Sequence, residues 1–272
     1  MPKVLNFVKS FAIERLNRYL AGLYVASRVK LYYKTRFDLW TVVHPQKLFD
    51  IIKTDTSCDA EIWMKKIDKL DPKLDIVLDV GANIGIVSAF FSRFSKTVWA
   101  FEPEEDNQGI FRENMELNLI ANVELVPFAI GEKCGEVEFY KRNSFGHHSV
   151  NASHITHVEN KVRVEMTTLD DFCSTKEINQ VSLLKIDVEG SEIEVLRGFE
   201  SYLSRKKVDM IIFEHAPVLL PNGQTFEVYD FLDEKGYSVF DFDSNFISRQ
   251  QFLNNGQTDY MALPKTKRES LG

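Results

Sequence analysis

Short apolar runs alternate with segments of helical periodicity through most of the 272-residue chain. Short runs without polar alternation are typical of strands that are buried on both faces of a parallel sheet. They predict strands at residues 76–80, 98–101, 123–126, 182–187 and 210–214. The periodic segments between and after them predict helices at residues 84–94, 106–119, 191–203 and 226–235. This alternation predicts an α/β fold with a mostly parallel sheet and helices on both faces.

Further runs surround this central pattern. Apolar runs at residues 237–242 and 259–263 are predicted to close the sheet edge. β-Like runs at residues 137–140 and 162–167 flank a polar loop at residues 143–160. We expect this loop to select the substrate, because a scaffold of strands positions functional loops.

The N-terminal segment has its own character. From Val4 to Tyr33 apolar residues recur at three- and four-residue spacing, with Lys and Arg between them, which predicts a basic amphipathic helix. Such a helix could pack against the α/β domain or a second subunit as a homodimer contact, or adsorb to an anionic membrane surface. The predicted division is an N-terminal helical extension at 1–58, an α/β domain at 59–264 that includes a helix at 59–70, and a polar tail at 265–272.

Charge and cysteine content exclude some functions. The net charge of −7 argues against nonspecific nucleic-acid binding, whose affinity comes from basic residues that neutralise phosphates. Residues 1–36 depart from this balance, since eight Lys and Arg against one acid give +7 and leave −14 for the remainder. Three cysteines without C-x-x-C spacing fit a reducing compartment. No apolar run is long enough to span a membrane, so we expect a cytoplasmic protein, with peripheral contact at the inner face of the membrane as the alternative.

A glycine turn, DVGANIG at residues 79–85, follows the first predicted strand. Its glycines permit backbone conformations that a Cβ would block. The dinucleotide fingerprint G-x-G-x-x-G requires a glycine where Asn83 stands, and the Asp79 carboxylate would oppose a pyrophosphate but suit an ammonium group. A dinucleotide-dependent oxidoreductase is therefore disfavoured. S-Adenosylmethionine, which carries an ammonium and a sulfonium, is favoured.

Three further groups of polar residues stand at predicted strand ends. Glu102 closes the second strand, where a carboxylate can accept both ribose hydroxyls of a nucleoside. Lys185, Asp187 and Glu189 share one side of an extended chain, and such charges must face a cleft or pair with one another, so a structural ion pair of Lys185 remains an alternative. His215 follows the fifth strand, and its imidazole suits proton transfer near neutrality or a structural hydrogen bond.

Four motifs together resemble the FkbM-type family of S-adenosylmethionine-dependent methyltransferases. They are LDVGANIG at residues 78–85, FEP at 101–103, MTTLDDF at 166–172 and LLKIDVEGSEIEVLRG at 183–198. The resemblance implies a class I methyltransferase (Rossmann-like) fold with a seven-stranded, mostly parallel sheet. It also implies O-methylation of a hydroxyl on a sugar or glycan, such as a cell-surface polysaccharide, or on a polyketide-type natural product. A noncatalytic binding protein on the same scaffold is the alternative from another class.

The same resemblance implies which residues bind S-adenosylmethionine. They are Asp79, Gly81, Ala82, Asn83 and Gly85 at the methionine end, Glu102 and Pro103 at the ribose, Phe128 and Ala129 near the adenine, and Asp187 close to the transferred methyl. We expect an SN2 transfer in which the enzyme aligns the reacting atoms and a base removes the proton of the hydroxyl. The candidate bases are His215 and Asp187, with Glu189 orienting one of them.

Four histidines lie in the polar loop, at positions 147, 148, 154 and 157. Their spacing is not a recognised metal-ligand set, and no cysteine joins them. Metal binding, hydrogen bonding to a substrate and simple solvation all remain open for the loop, and we predict that the enzyme holds no metal. The predicted substrate residues are His147, His148 and Ser149 of this loop together with Lys185, and the predicted partner is a sugar or glycan acceptor rather than nucleic acid.

Overall fold

The structure is a computed structural model that describes residues 31–35, 37–43, 61–141, 160–215, 226–252 and 259–266. The predicted amphipathic helix up to residue 30 lies outside the described residues. So do the predicted substrate residues His147, His148 and Ser149 of the polar loop. None of the described helices is long and apolar enough to cross a bilayer.

Strands and helices alternate along the described chain. The strands are β1 (Leu31–Lys34), β2 (Trp40–Val43), β3 (Leu74–Val80), β4 (Ser95–Phe101), β5 (Val123–Val126), β6 (Ala129–Ile130), β7 (Gly135–Lys141), β8 (Asn160–Thr167), β9 (Leu183–Ile186), β10 (Ile211–Glu214), β11 (Tyr237–Phe240) and β12 (Asp259–Pro264). The helices are α1 (Glu61–Leu70), α2 (Ile86–Phe91), α3 (Glu105–Leu117), α4 (Leu169–Thr175), α5 (Glu192–Arg197), α6 (Glu200–Ser204), α7 (Glu227–Glu234) and α8 (Arg249–Phe252).

A seven-stranded sheet in the order β11-β12-β10-β9-β3-β4-β5 forms the centre of the fold. The five strands from β10 to β5 are parallel to their neighbours, while β12 runs antiparallel to both β10 and β11. This arrangement confirms the predicted class I methyltransferase fold with its mostly parallel sheet. The strand order reverses between β3 and β9, and ligands of such sheets bind at that reversal, outside the carboxyl ends of the strands.

Both faces of the sheet are covered, as the apolar character of its strands predicts. On β3, Leu78 belongs to one hydrophobic cluster and Val77 to the other, because successive side chains of a strand point to opposite faces. On the Val77 face Trp63 of α1 stacks on Phe91 of α2, with ring centroids 5.6 Å apart. Helices on both faces hold the strand ends in fixed positions, which prepares the site described below.

The segment at residues 31–43 corrects the predicted helical extension. β1 pairs antiparallel with β2, so the helix prediction is wrong for its last three residues, 31–33. Asn118, the residue after α3, both accepts the N–H of Trp40 at 2.7 Å and donates to its carbonyl at 2.7 Å, and Asn114 of α3 accepts the N–H of Val42 at 2.8 Å. Pairing between strands and anchoring to a distant helix stabilise this hairpin, and local periodicity does not report either contact.

The predicted single helix at residues 191–203 is also wrong, since α5 ends at Arg197 and α6 starts at Glu200. Gly198 lies at the break, where a Cβ would overlap the carbonyl oxygen of Gly131. The Gly198 carbonyl accepts the N–H of Asp170 at the start of α4. The break therefore lets the two short helices fit against the segment that connects β6 to β7 and against α4.

A second, three-stranded sheet in the order β6-β8-β7 confirms the two predicted β-like runs. β7 and β8 pair antiparallel, and β6 pairs parallel with β8. This small sheet follows β5 directly in the chain. It therefore places β6 and β7 beside the carboxyl ends of the central strands.

Candidate active site

An open cleft lies at the carboxyl ends of β3, β4 and β9. It brings together eight of the residues predicted from sequence: Gly81, Asn83, Glu102, Pro103, Phe128, Ala129, Asp187 and Glu189. It also contains residues that the sequence reasoning did not nominate, among them Asn107, Ile130, Phe139, Val188 and Ser191. The structure therefore places most of the predicted cofactor residues around one cavity.

The glycine turn between β3 and α2 is shaped by contacts within the protein. Gly81 has φ of 80° and Gly85 has φ of 85°, both in the left-handed region that favours glycine. A Cβ on Gly81 would overlap the carbonyl oxygen of Asp187, and one on Gly85 would come within 2.6 Å of the Phe111 ring. Gly81 thus joins the loops after β3 and β9, whereas Gly85 lets α2 pack on α3. Gly85 and Ala82 do not line the cleft, so their predicted cofactor contacts stay predictions.

Glu102 is held by donors on one wall of the cleft. Its carboxylate accepts the N–H of Asn83 at 2.9 Å, the N–H of Glu104 at 2.8 Å and the side-chain amide of Asn107 at 3.4 Å. Burial raises the pKa of Glu102 to about 7, although these donors act to lower it. The donors fix the orientation of the carboxylate, and its remaining acceptor capacity can receive ligand hydroxyls.

Asp79 lies beneath the cleft rather than at its surface. The carboxylate is fully buried, accepts the hydroxyl of Ser88 at 2.5 Å and has one oxygen 3.6 Å from Nζ of Lys185. Burial raises the pKa of Asp79, partly offset by Lys185 and Ser88. The ammonium group beside Asp79 is therefore that of Lys185. Direct contact of the Asp79 carboxylate with a cofactor stays a prediction.

Lys185 links the ends of two neighbouring strands. Asp79 and Lys185 are register partners on β3 and β9, and Nζ of Lys185 lies 3.1 Å from Asp187 and 3.5 Å from the carbonyl oxygen of Gly81. Burial alone would lower the pKa of Lys185, but the carboxylates of Asp187 and Asp79 outweigh it and raise that pKa above its ordinary value. This geometry matches the ion-pair alternative, and the predicted substrate contact of Lys185 is untested.

An acidic rim of Asp187, Glu189 and Glu214 borders the cleft at the ends of β9 and β10. Carboxylate oxygens of the three residues lie within 4.8 Å of one another, and Asp187 is hydrogen-bonded to Glu214. Burial, with the charge of Asp187, raises the pKa of Glu214 well above its ordinary value. Sequence reasoning did not nominate Glu214, although its position at a strand end beside His215 was a usable signal.

His215 occupies a different environment from its neighbour Glu214. Its side chain is 1% exposed and lies against Phe252, with ring centroids 4.3 Å apart. Burial lowers the pKa of His215 to about 4, which leaves the ring neutral at neutral pH. His215 follows the last residue of β10 and is not among the residues that line the cleft. Its role as a base stays a prediction.

Apolar side chains form the remaining wall of the cleft. Pro103 and Phe128 were predicted to lie near the ribose and adenine, and both line the cavity. Phe139 joins them from β7 of the small sheet, where it is 6% exposed. Phe139 was missed for two reasons. Its position beside the cleft depends on how the two sheets pack together, and its own strand carries no ligand-binding motif.

Residues 79–239 match the family described as "Methyltransferase FkbM domain". Among curated proteins, the chain is 29% identical over 164 residues to "Methyltransferase 1" of Beauveria bassiana, with 52% of this chain and 65% of that protein covered. It is 28% identical over 145 residues to the "Hexuronic acid methyltransferase AglP" of Haloferax volcanii, with 53% and 57% covered. It is 25% identical over 174 residues to the "2-O-methyltransferase NoeI" of Sinorhizobium fredii, with 58% and 69% covered.

Among solved structures, the chain is similar to a "Methyltransferase FkbM" of Methylobacillus flagellatus KT, with a TM-score of 0.46 and 15% identity. That match covers 80% of this chain and 54% of the other. The chain spans less than two thirds of the length of the first two curated relatives, at 65% and 57%.

Proposed function

Because the chain belongs to the FkbM methyltransferase family, we propose that it transfers a methyl group from S-adenosylmethionine to a hydroxyl of a sugar or glycan. The observation that carries this proposal is that Glu102 and Asp187, acids from the ends of two different strands, line one cleft. The name of one relative, a hexuronic acid methyltransferase, supports the sugar as acceptor, and the name of another, a 2-O-methyltransferase, supports transfer to an oxygen.

The residues of the cleft fit S-adenosylmethionine. The fixed carboxylate of Glu102 would accept the ribose hydroxyls, and the apolar wall of Pro103, Phe128 and Phe139 would hold the adenine. The acidic rim suits a ligand with positive charge and opposes a pyrophosphate. When bound, the cofactor would supply the methyl group from its sulfonium, and the demethylated cofactor would leave as a neutral thioether.

Asp187 is the proposed proton acceptor, because it lines the cleft with one oxygen paired to Lys185. The Asp187 carboxylate would accept the proton of the acceptor hydroxyl as that oxygen takes up the methyl group that the bound cofactor would supply. Lys185 holds that carboxylate in place, and Glu189 beside it orients the acceptor or the base. Alignment of the reacting atoms and removal of the proton are the contributions we assign to the protein.

Incubation with labelled S-adenosylmethionine and a panel of sugar nucleotides, lipid-linked glycans, polysaccharide extracts and polyketide-type alcohols tests the proposal. We expect mass analysis to find a methyl ether on a sugar hydroxyl, and an Asp187→Asn control to lack it. Calorimetry should show binding of S-adenosylhomocysteine and none of NAD. Binding without transfer to any acceptor would support a noncatalytic binding protein, and absence of binding would overturn the proposal.

A further inference from the structure

We propose that Glu192 is a positioning residue for the methyl transfer, whose buried carboxylate holds the turn after β9 so that Asp187 and Glu189 face the cleft. The inference rests on the proposed function, since it concerns the same site. Glu192 itself does not line the cleft. It acts through the residues that do.

The Glu192 side chain folds back onto the turn that precedes its own helix. Glu192 is the first residue of α5, and its Oε1 accepts the N–H of Val188 at 3.2 Å and the N–H of Gly190 at 3.1 Å. The carboxylate is also hydrogen-bonded to the backbone of Glu192 itself. The side chain is 4% exposed. Backbone donors therefore converge on one buried carboxyl group. Burial raises the pKa of Glu192 to about 7, although these backbone donors act to lower it.

The turn has a backbone conformation that requires such support. Glu189 has φ of 55° and Gly190 has φ of 100°, so two consecutive residues lie in the left-handed region. A non-glycine residue keeps this conformation only where its surroundings impose it. The N–H groups on either side of Glu189 point to Glu192, while Asp187, Val188 and Glu189 line the cleft. The Glu192 carboxylate thus holds the N–H groups of the turn toward the protein, and the opposite side of the turn faces the cleft.

The two ends of the turn are anchored independently. At its start the N–H of Asp187 donates to the carbonyl of Val80 on β3 at 3.0 Å, and Gly81 lets the Asp187 carbonyl approach closely. At its end the Glu192 carboxylate is the anchor. Loss of Glu192 should therefore displace Val188 to Gly190 and shift the Asp187 side chain, while the Glu102 wall keeps its own donors. The chemical step should suffer more than cofactor binding.

A comparison of Glu192→Ala with Glu192→Gln tests the inference, because glutamine keeps an acceptor oxygen and alanine removes it. For Glu192→Ala we expect kcat to fall by about 100-fold, the loss that a displacement of about 1 Å can cause, with less than about a threefold change in the Kd of S-adenosylhomocysteine. Hydrogen exchange of the Val188 and Gly190 amides should become faster, because both donate to Glu192. Glu192→Gln should restore most of kcat and the protection of these amides.

Glu194→Ala is the matched control, because Glu194 lies on the same helix and faces Arg197 and Glu227 instead of the turn. It should keep the wild-type kcat and amide exchange. The inference is overturned if Glu192→Ala keeps kcat within about threefold of wild type, or if its amides at 188 and 190 stay protected. It is equally overturned if kcat and cofactor affinity fall together and Glu192→Gln restores neither. If the wild-type protein transfers no methyl group, the proposed function fails, while amide exchange still decides whether Glu192 holds the turn.

Discussion

Two acids of the cleft, Glu102 and Asp187, stand at equivalent places in the fold and have opposite surroundings. Each follows a strand of the parallel sheet. Glu102 is nearly buried and accepts hydrogen bonds from backbone and amide N–H groups, whereas Asp187 is 40% exposed, pairs with Lys185 and is hydrogen-bonded to Glu214. Neutral donors hold a carboxylate in one orientation, which suits binding. Contact with a cation and a second carboxyl group at the open side of the cleft suits the proton transfer that we propose for Asp187.

Asp187→Asn should have the largest effect on catalysis. We expect kcat to fall by about 10²- to 10⁴-fold, the usual contribution of a general base, while the Kd of S-adenosylhomocysteine changes by less than about fivefold. His215→Gln should cost less than about tenfold in kcat, because the buried ring does not line the cleft. Single-turnover kinetics on both variants decide between them. A larger loss of kcat for His215→Gln than for Asp187→Asn would identify His215 as the base.

Gly81→Ala should break the contact between the loops that follow β3 and β9. The added Cβ would overlap the Asp187 carbonyl, and alanine would have to adopt φ of 80°. We expect the free energy of unfolding to fall by at least about 2 kcal/mol, together with loss of methyl transfer. Chemical denaturation measures the first quantity. Unchanged stability would mean that the two loops are not packed as the structure shows.

Gly109→Ala provides the control for that measurement. Gly109 lies within α3, and nothing stands within 4 Å of a Cβ built on it. Alanine there should raise the free energy of unfolding by about 0.5–1 kcal/mol, since glycine is the poorer helix former. Opposite signs for the two glycine substitutions would attribute the effect at Gly81 to its position.

The ribose end of the cleft could be predicted from sequence more completely than the acceptor end. Glu102 follows an apolar strand, and its place could be read from the strand pattern and the glycine turn before it. Glu214 joins Asp187 only because β9 and β10 are neighbours in the sheet, a tertiary contact without a local signal. The burial of Asp79 and His215 has no local signal either, since it depends on which helices and loops cover a strand end.

The fold shows the same division between local and tertiary information. The apolar runs predicted the parallel strands because burial on both faces leaves an uninterrupted hydrophobic signal. The hairpin of β1 and β2 was missed, since Asn114 of α3 and Asn118 at its C-terminal cap anchor the hairpin across more than seventy positions of sequence. Helix α4 was missed because it is short, although Thr168 and Asp171 have the spacing that marks a helix start. Thr168 caps it by accepting the N–H of Asp171 at 3.0 Å.

Glu102→Gln should weaken cofactor binding and leave the chemical step of bound cofactor nearly intact. An amide cannot accept at both oxygen positions, so we expect the Kd of S-adenosylhomocysteine to rise by about 10- to 100-fold, as for loss of a hydrogen bond to a charged group. Glu105→Gln is the control, because Glu105 is exposed in the first turn of α3. Calorimetry measures both. An unchanged Kd for Glu102→Gln would contradict the proposal that this carboxylate binds the ribose.

The pH dependence of binding should follow Glu102, whose pKa burial raises to about 7 in the free protein. Ribose hydroxyls donate to the ionised carboxylate, so the affinity must increase as pH rises through that pKa. We expect the Kd of S-adenosylhomocysteine to fall by about tenfold between about pH 6 and about pH 8. In Glu102→Gln the Kd should stay flat over that range. Weaker binding at the higher pH would contradict the assignment.

Removal of metal should have the smallest effect, and it separates two uses of the acidic rim. If Asp187 and Glu214 share a proton, the charge of the rim is already reduced and no cation is required. We therefore expect turnover to change by less than about twofold after dialysis against a chelator or on addition of Mg²⁺. Loss of turnover that Mg²⁺ restores, and that Glu214→Gln abolishes, would instead show that the three carboxylates hold a divalent ion. Asp187 would then bind the metal, and the acceptor proton would have to leave to another group.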